Sequence, residues 1–158
     1  MLIPINETLI EQVRQQAQVS PRRRAIHRFH AHPDPIQRML NAVEPDSYVM
    51  PHKHENPDKV EAFIILKGRA ALFSFDESGT PTGCVLLEEG TTRLGVEVPP
   101  RTWHSLAALE SGTVLYEVLE GPYLEETHKT FAVWAPPADD FEAGLAWVQR
   151  LKEHFGIG

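Results

Sequence analysis

Apolar and polar positions follow two different periods along this chain, and the change between them predicts its elements. Residues 7–18 contain no Gly or Pro and carry apolar residues at helical spacing, which predicts a short amphipathic helix. Those apolar residues are Leu9, Ile10, Val13 and Ala17. Ser20 and Pro21 end this helix, and a second short helix is predicted over residues 36–42.

Between residue 47 and about residue 133 the pattern changes to short apolar, β-branched or aromatic runs separated by turn residues, which is typical of an antiparallel barrel or sandwich. Strands are predicted near 47–54, 60–67, 69–75, 83–87, 91–98, 103–109, 113–119 and 129–134. Residues 76–79 form a hairpin connection in which Gly79 is free to adopt a positive φ. Because no helices intervene between these strands, a βαβ fold is excluded.

After Pro136 and Pro137 the pattern becomes helical again. Asp139 and Glu142 have the spacing of a capping box, and an apolar stripe continues until Gly156. We therefore predict a mainly β, one-domain protein: a helical and basic segment over 1–46, a β-barrel over 47–137 and a C-terminal helix over 138–158.

Composition and charge argue against several functional classes. The 158 residues carry a net charge of −7, the wrong sign for a protein that coats phosphate backbones, so nucleic acid is not an expected partner. No apolar run is long enough to span a bilayer, and residues 1–20 are too polar for the core of a signal peptide. The single cysteine, Cys84, cannot close an internal disulfide, so the cytoplasm is the expected compartment.

Three histidines and one glutamate have a spacing that predicts a metal site. His52 and His54 project to the same side of a strand because they lie two residues apart. A hairpin return brings Glu61 beside them, and a tight turn over residues 99–102 leads His104 into a later strand. Such ligands suit Zn, Fe, Ni, Mn or Cu, and six-coordinate geometry leaves two positions for water or substrate.

The stretch from His52 through His54, Glu61 and Gly68 to residues 99–104 resembles the two-part motif of the cupin superfamily. That resemblance implies a small β-barrel, a double-stranded β-helix or jelly roll, that holds one divalent metal on His52, His54, Glu61 and His104. Two features depart from the common pattern. The gap between His54 and Glu61 is longer, which predicts an extended loop, and Arg101 replaces a Gly.

A more detailed resemblance covers residues 22–137. The segments that carry it are 23–27, His30, 35–40, 48–54, 75–76, 103–104, 120–123 and 131–136. These segments are similar to the WbuC-type cupin-fold metalloproteins, many of which are encoded in bacterial O-antigen and other polysaccharide gene clusters. The resemblance implies the fold and a metal more strongly than it implies a substrate.

Further residues are candidates for contacts with a small-molecule substrate. Tyr48 and Met50 share the predicted face of His52 and His54, and Phe63 follows Glu61 on its face. Tyr48 is the candidate proton donor, whereas core packing explains Met50 and Phe63 equally well.

The basic segment suggests a second group of contacts. Arg23, Arg24 and His27 are candidate contacts for a phosphate or carboxylate, although a solvated basic segment explains them as well. His27, His30 and His32 form a rival histidine cluster, but the neighbouring arginines would repel a cation.

Three functions agree with these patterns. A Lewis acid such as Zn or Mn would support isomerisation, epimerisation or hydrolysis of a sugar, a sugar-nucleotide or another oxygen-rich metabolite. Fe(II) would support a dioxygenase, and a protein without catalytic activity would bind a metal-chelated metabolite as a sensor or carrier. The resemblance to cupins also suggests a homodimer. We rank the enzymes first.

Overall fold

A computed structural model describes residues 2–157. Its elements in chain order are α1 (Glu7–Val19), β1 (Arg24–Arg28), β2 (Ile36–Val43), β3 (His52–Lys53), β4 (Glu61–Lys67), β5 (Arg69–Phe75), β6 (Pro81–Glu88), β7 (Gly95–Val98), β8 (Trp103–Ala108), β9 (Thr113–Glu120), β10 (Thr130–Phe131) and α2 (Phe141–His154).

The strands form two five-stranded sheets that face each other. The first sheet has the order β1-β2-β9-β4-β7, and the second has the order β10-β3-β8-β5-β6. All neighbouring strands pair antiparallel. Gly79 has a φ of +87° in the β5–β6 connection, as predicted. The predicted fold class, a mainly β jelly roll with a C-terminal helix, is confirmed.

Three apolar clusters hold this sandwich together. One of them fills space between the sheets, and it includes Phe63, Leu72, Leu106 and Leu115. The helices cover the outer faces of the sandwich. Helix α1 packs on β2 and β9, and α2 packs on the outer face of the second sheet. Each sheet is therefore covered on both faces, which explains its many apolar residues.

The two helices form where the sequence predicts them. In α1 the Asn6 side chain accepts a hydrogen bond from the Leu9 amide, and the stripe Ile10, Val13 and Ala17 is buried. In α2 the cap is Asp140, which accepts from the Ala143 amide, rather than Asp139. Neither helix among residues 2–157 has the length and apolar character that crossing a membrane requires.

The predicted second helix over residues 36–42 is wrong, because this segment belongs to strand β2. Alternate residues of β2 face the space between the sheets, whereas Leu40 and Ala42 face α1. A strand that is buried on both faces lacks the simple alternation of apolar and polar residues. Both β1 and β2 lie before residue 47, so the first sheet begins earlier in the chain than the predicted barrel.

Gly144 allows α2 to approach the second sheet, and it provides a test of this packing. A Cβ atom at Gly144 would lie 2.3 Å from Cδ1 of Tyr48, whose ring is 1% exposed. We expect Gly144→Ala to lower the free energy of unfolding by about 1–3 kcal/mol through overpacking, despite the better helix propensity of alanine. Urea denaturation measures this change.

The reverse substitution at an exposed position of the same helix is the control. Ala146→Gly creates no clash and is expected to cost only the helix propensity of about 1 kcal/mol. A Gly144→Ala variant that is more stable than the parent protein would contradict close packing of α2 on Tyr48.

Candidate metal centre

The four predicted ligands meet in one buried group. One ligand atom from each of His52, His54, Glu61 and His104 lies within 4.8 Å of the others. None of these residues is more than 4% exposed. A buried charged carboxylate surrounded by imidazoles is costly unless a cation compensates it, so the arrangement already favours a metal.

The two sheets supply different members of this group. His52 in β3 is the direct cross-strand partner of His104 in β8, so the second sheet brings these imidazoles together. Lys53 points to the opposite face, where its Nζ lies 4.6 Å from the centre of the Trp103 ring. The expected alternation around His52 and His54 is therefore present.

Glu61 reaches the histidines by a different route from the predicted hairpin. Strand β4 pairs with β7 and β9 in the first sheet, whereas β3 belongs to the second sheet. Residues 55–60 thus cross between the sheets, and the hairpin prediction is wrong. The carboxylate approaches the imidazoles from across the sandwich, and Glu61 Oε2 lies 2.8 Å from His104 Nε2 and 3.3 Å from His54 Nε2.

Hydrogen bonds on the far side of each ring set its orientation. Nδ1 of His52 donates to the Met50 carbonyl at 3.0 Å, and Nδ1 of His54 donates to the His128 carbonyl at 2.7 Å. Nδ1 of His104 donates to the Thr102 carbonyl at 2.9 Å. Metal-binding histidines almost always use such a partner to fix the tautomer and aim the other nitrogen.

This tautomer leaves four acceptors facing one another. In a neutral ring with a proton on Nδ1, Nε2 carries only a lone pair, so it cannot donate to Glu61 despite the short distance. Among the described residues, the buried Nε2 atoms of all three histidines and Oε2 of Glu61 have no hydrogen-bond partner. Each unsatisfied buried atom costs about 1–3 kcal/mol, and one divalent cation would satisfy all four. The residues therefore fit a metal.

The electrostatics favour the protonation states that a metal needs. Burial, together with Lys129 and His104, lowers the pKa of His52 well below its ordinary value, so His52 is neutral. Burial alone would raise the pKa of Glu61, but positive charge on the neighbouring His104 and His54 rings holds it well below its usual range, and a bound cation would take the place of that charge. A neutral imidazole and a charged carboxylate are the forms that bind metals.

Arg101 occupies a turn position where the cupin pattern has glycine. Its φ is +62°, in the left-handed region that costs a residue with a side chain roughly 1–2 kcal/mol. Two contacts offset this cost. The Arg101 amide donates to the His54 carbonyl at 3.0 Å, and Nε donates to Asp58 Oδ1 at 2.8 Å. The same residue thus links the turn before His104 to the crossing loop.

A cavity of about 150 Å³ lies between the sheets and is lined in part by His52, Glu61 and His104. Phe63 lines it beside the ligands and also belongs to the apolar core, and Arg24 lines it from β1. The other lining residues are Arg22, Ile26, Arg28, His30, Gln37, Met39, Asn41, Val43, Val49, Leu106, Glu117, Tyr123, His128 and Lys129.

The expectation that Tyr48 and Met50 face this cavity is corrected. Tyr48 lies in the apolar cluster under α2, and its hydroxyl donates to the Pro136 carbonyl at 2.8 Å. Burial raises the pKa of Tyr48, so its proton is held firmly. Met50 packs against the same cluster. Residues 48–51 do not belong to a strand, so the predicted alternation does not extend back from His52.

Arg23 and His27 also lie away from the cavity. Alternate residues of β1 face opposite sides, and Arg24 takes the cavity side. Arg23 donates from Nε to Asp46 at 2.9 Å, and the His27 ring packs edge-on against Phe29 at 4.8 Å. Among residues 2–157, His27, His30 and His32 form no second group of metal-binding geometry.

The sequence analysis missed Glu117 and His128. Glu117 lines the cavity from β9, accepts a hydrogen bond from Asn41, and has its pKa raised well above the ordinary value by burial and by Glu61. A charged residue inside the apolar run of β9 was the available signal. The His128 ring packs against the rings of Tyr123 and His54, with centres 4.5 and 5.5 Å apart. Nothing in its local sequence indicates this position.

Solved structures share the fold at low sequence identity. CapF, a capsular polysaccharide assembling protein from Staphylococcus aureus, matches with a TM-score of 0.55 and 17% identity over 72% of this chain and 30% of its own. Oxalate decarboxylase from Bacillus subtilis matches with a TM-score of 0.52 and 16% identity, over 85% of this chain and 32% of its own. Protein SO0799 from Shewanella oneidensis matches with a TM-score of 0.51 and 9% identity, over 68% of this chain and 72% of its own. This chain thus spans about a third of the first two proteins. No curated protein matches it.

The fold and the site together define a cupin-type jelly roll with a buried group of three histidines and one glutamate that can bind a metal. Within that class, the chain belongs to the family described as a domain of unknown function, DUF6016, whose model matches residues 5–87. The match contains His52, His54 and Glu61, and His104 lies beyond it.

His128 provides a pH-dependent test of the packing around the site. Burial, together with Lys129, lowers the pKa of His128 to about 3, whereas an unfolded histidine titrates near ~6.5. The unfolded chain therefore binds the additional proton first, and stability is lost as the pH falls from about 6.5 toward 3. We expect His128→Gln to weaken this acid dependence in urea denaturation of the chelator-treated protein.

The exposed His154→Gln variant is the matched control and is expected to follow the parent curve. If His128→Gln loses stability on acidification as steeply as the parent protein does, His128 is not held neutral in the fold.

Proposed function

We propose that this protein is a metal-dependent enzyme that acts on a small oxygen-rich metabolite by isomerase or epimerase chemistry. The observation that carries the proposal is the convergence of three imidazole lone pairs and one carboxylate oxygen with no other partner among the described residues. His52, His54, Glu61 and His104 would hold one divalent ion such as Zn, Mn, Fe or Ni.

Such an ion supplies Lewis-acid chemistry, which polarises a carbonyl group and eases loss of a neighbouring proton. The other tasks fall to the chain. Phe63 and Leu106 line the cavity with apolar surface that limits access of water, whereas Arg24 and Asn41 present hydrogen-bond donors. Glu117 places a second carboxyl group beside Glu61, so a group of the type that moves protons in isomerases shares the cavity.

The substrate class is proposed as a sugar, a sugar-nucleotide or a related metabolite of bacterial polysaccharide biosynthesis, such as that of O-antigen. This part rests on the similarity of residues 22–137 to WbuC-type proteins. A cytoplasmic location accords with that setting. The polar groups around the cavity support an oxygen-rich ligand, because buried donors need acceptors.

Metal content is the first test. We expect protein purified without an affinity tag or chelator to contain close to one transition-metal ion per chain by elemental mass spectrometry. His52→Ala and His104→Ala each remove an imidazole aimed at the shared centre, so each variant is expected to lose most of the metal.

His27→Ala is the control, because it removes a histidine that packs on Phe29 outside the cavity and is expected to keep the metal. Full metal retention by both site variants would contradict the proposed centre. Loss of the metal by the control alone would place the ion elsewhere.

The reaction type is tested with the zinc and manganese forms in deuterium oxide. In a panel of sugars, keto acids and sugar-nucleotides, we expect at least one compound to exchange a proton for deuterium. NMR should show the deuterium on the carbon next to the carbonyl group or, after isomerisation, next to the carbon that carried the carbonyl group. His104→Ala should slow this exchange by roughly 100-fold.

An oxygen electrode with the iron(II) form distinguishes the alternatives. Substrate-dependent dioxygen uptake without proton exchange would replace the proposal with a dioxygenase. Binding of a panel member without either reaction would replace it with a sensor or carrier.

A further inference from the structure

Four cationic side chains on the lining of the cavity, here called the cationic wall, concentrate positive charge there. Arg22, Arg24 and Arg28 line the cavity from β1 and the residues before it. Lys129 lines it from the segment before β10, in the opposite sheet. These four side chains share one continuous space with His52, Glu61 and His104. A ligand in this space therefore meets the cationic wall and the metal centre together.

These cations have no acidic partner within the described part of the chain. Eight other lysines and arginines form ion pairs there: Arg14, Arg23, Arg38, Lys53, Lys67, Arg69, Arg93 and Arg101. None of the four cavity cations lies within ion-pair distance of a carboxylate in residues 2–157. A chain with a net charge of −7 has many acids available, so this arrangement keeps the cations free for a ligand.

Arg24 is held in place for such a contact. Its Nη1 donates to the Tyr48 carbonyl at 2.6 Å and to Ser47 Oγ at 3.2 Å. Within residues 2–157 its other N–H groups have no partner, although a guanidinium has five donors in a planar fork. Burial and the neighbouring Arg22 lower the pKa of Arg24 to about 10, in keeping with the absence of a carboxylate within ion-pair distance in the described residues.

The acids in the cavity do not neutralise this wall. Glu61 belongs to the metal centre, and Glu117 accepts a hydrogen bond from Asn41 and forms no ion pair with the four cations among the described residues. An anionic oxygen group would supply both the missing charge and the missing acceptors, because guanidinium forks match phosphate and carboxylate geometry. The cavity volume of about 150 Å³ favours a small metabolite.

We propose that Arg22, Arg24, Arg28 and Lys129 form a subsite for the phosphate or carboxylate group of a small metabolite whose other oxygens reach the metal centre. This inference rests on the proposed function, because it assumes a metal at the four-residue group. It narrows the substrate class to acidic molecules, such as sugar acids or sugar phosphates. It also replaces the predicted contacts Arg23 and His27, which face away from the cavity.

Three probes with the same chelating end test the subsite. Glycerate, malate and 3-phosphoglycerate each offer an α-hydroxy acid to the metal, and they end in a neutral hydroxymethyl group, a carboxylate and a phosphate ester, respectively. Calorimetric titration of the zinc-loaded protein measures the affinity for each probe. We expect malate or phosphoglycerate, or both, to bind about tenfold or more tightly than glycerate.

Substitutions in the cationic wall test whether these side chains cause the tighter binding of the anionic probes. Arg28→Ala and Lys129→Ala are each expected to reduce the advantage of the anionic probes several-fold while leaving zinc content and glycerate affinity unchanged. Arg24→Lys keeps the charge but removes the fork, so it should reduce the advantage without the folding risk of Arg24→Ala. Arg23→Ala is the matched control, because Arg23 pairs with Asp46 outside the cavity, and it should keep the full advantage.

The outcomes separate this inference from the proposed function. Equal affinity for all three probes, or an advantage that survives in Arg28→Ala, Lys129→Ala and Arg24→Lys, would overturn the subsite while the metal centre stands. An advantage for phosphoglycerate alone identifies a phosphate subsite, and an advantage for malate alone identifies a carboxylate subsite. Failure of the parent protein to retain zinc would overturn the metal centre itself.

Discussion

Hydrogen bonds on the outer side of three imidazoles are the constraint on which the rest of the site depends. Each Nδ1 donates to a backbone carbonyl, so each Nε2 is aimed inward as a bare lone pair. Glu61 adds an oxygen from the facing sheet. Four electron donors thus converge in one buried group, and a bound cation makes this arrangement favourable. The fold maintains it because the β3–β8 pairing and the crossing loop over 55–60 are fixed by separate contacts.

The sandwich divides its interior into two functional parts. In one part, apolar residues from both sheets, such as Leu72 and Leu115, provide the packing that holds the sheets together. In the other part, polar residues line a cavity, which the apolar side chains of Phe63 and Leu106 adjoin. The helices α1 and α2 add further apolar packing on the outer faces. Tyr48 illustrates the division, because its ring and hydroxyl serve the packing of α2 and not the chemistry of the cavity.

Much of the fold and the ligand group could be predicted because each depends on local patterns. Period-two spacing placed His52 and His54 on one face, and the apolar stripe and the absence of Gly and Pro located α1. The errors arose where distant contacts decide the structure. Strand β2 is buried on both faces, so its apolar residues mimic a helix, and Glu61 arrives from another sheet, which no local spacing reveals. Glu117 and His128 join the cavity only through the arrangement of both sheets.

X-ray absorption spectroscopy of the zinc-loaded protein tests the central claim most directly, because it reports the atoms around the ion rather than the amount bound. The account predicts nitrogen and oxygen neighbours at about 2.0–2.1 Å, with the outer-shell scattering pattern of three imidazoles. A spectrum with sulfur neighbours, or with oxygen neighbours and no imidazole scattering, would contradict it.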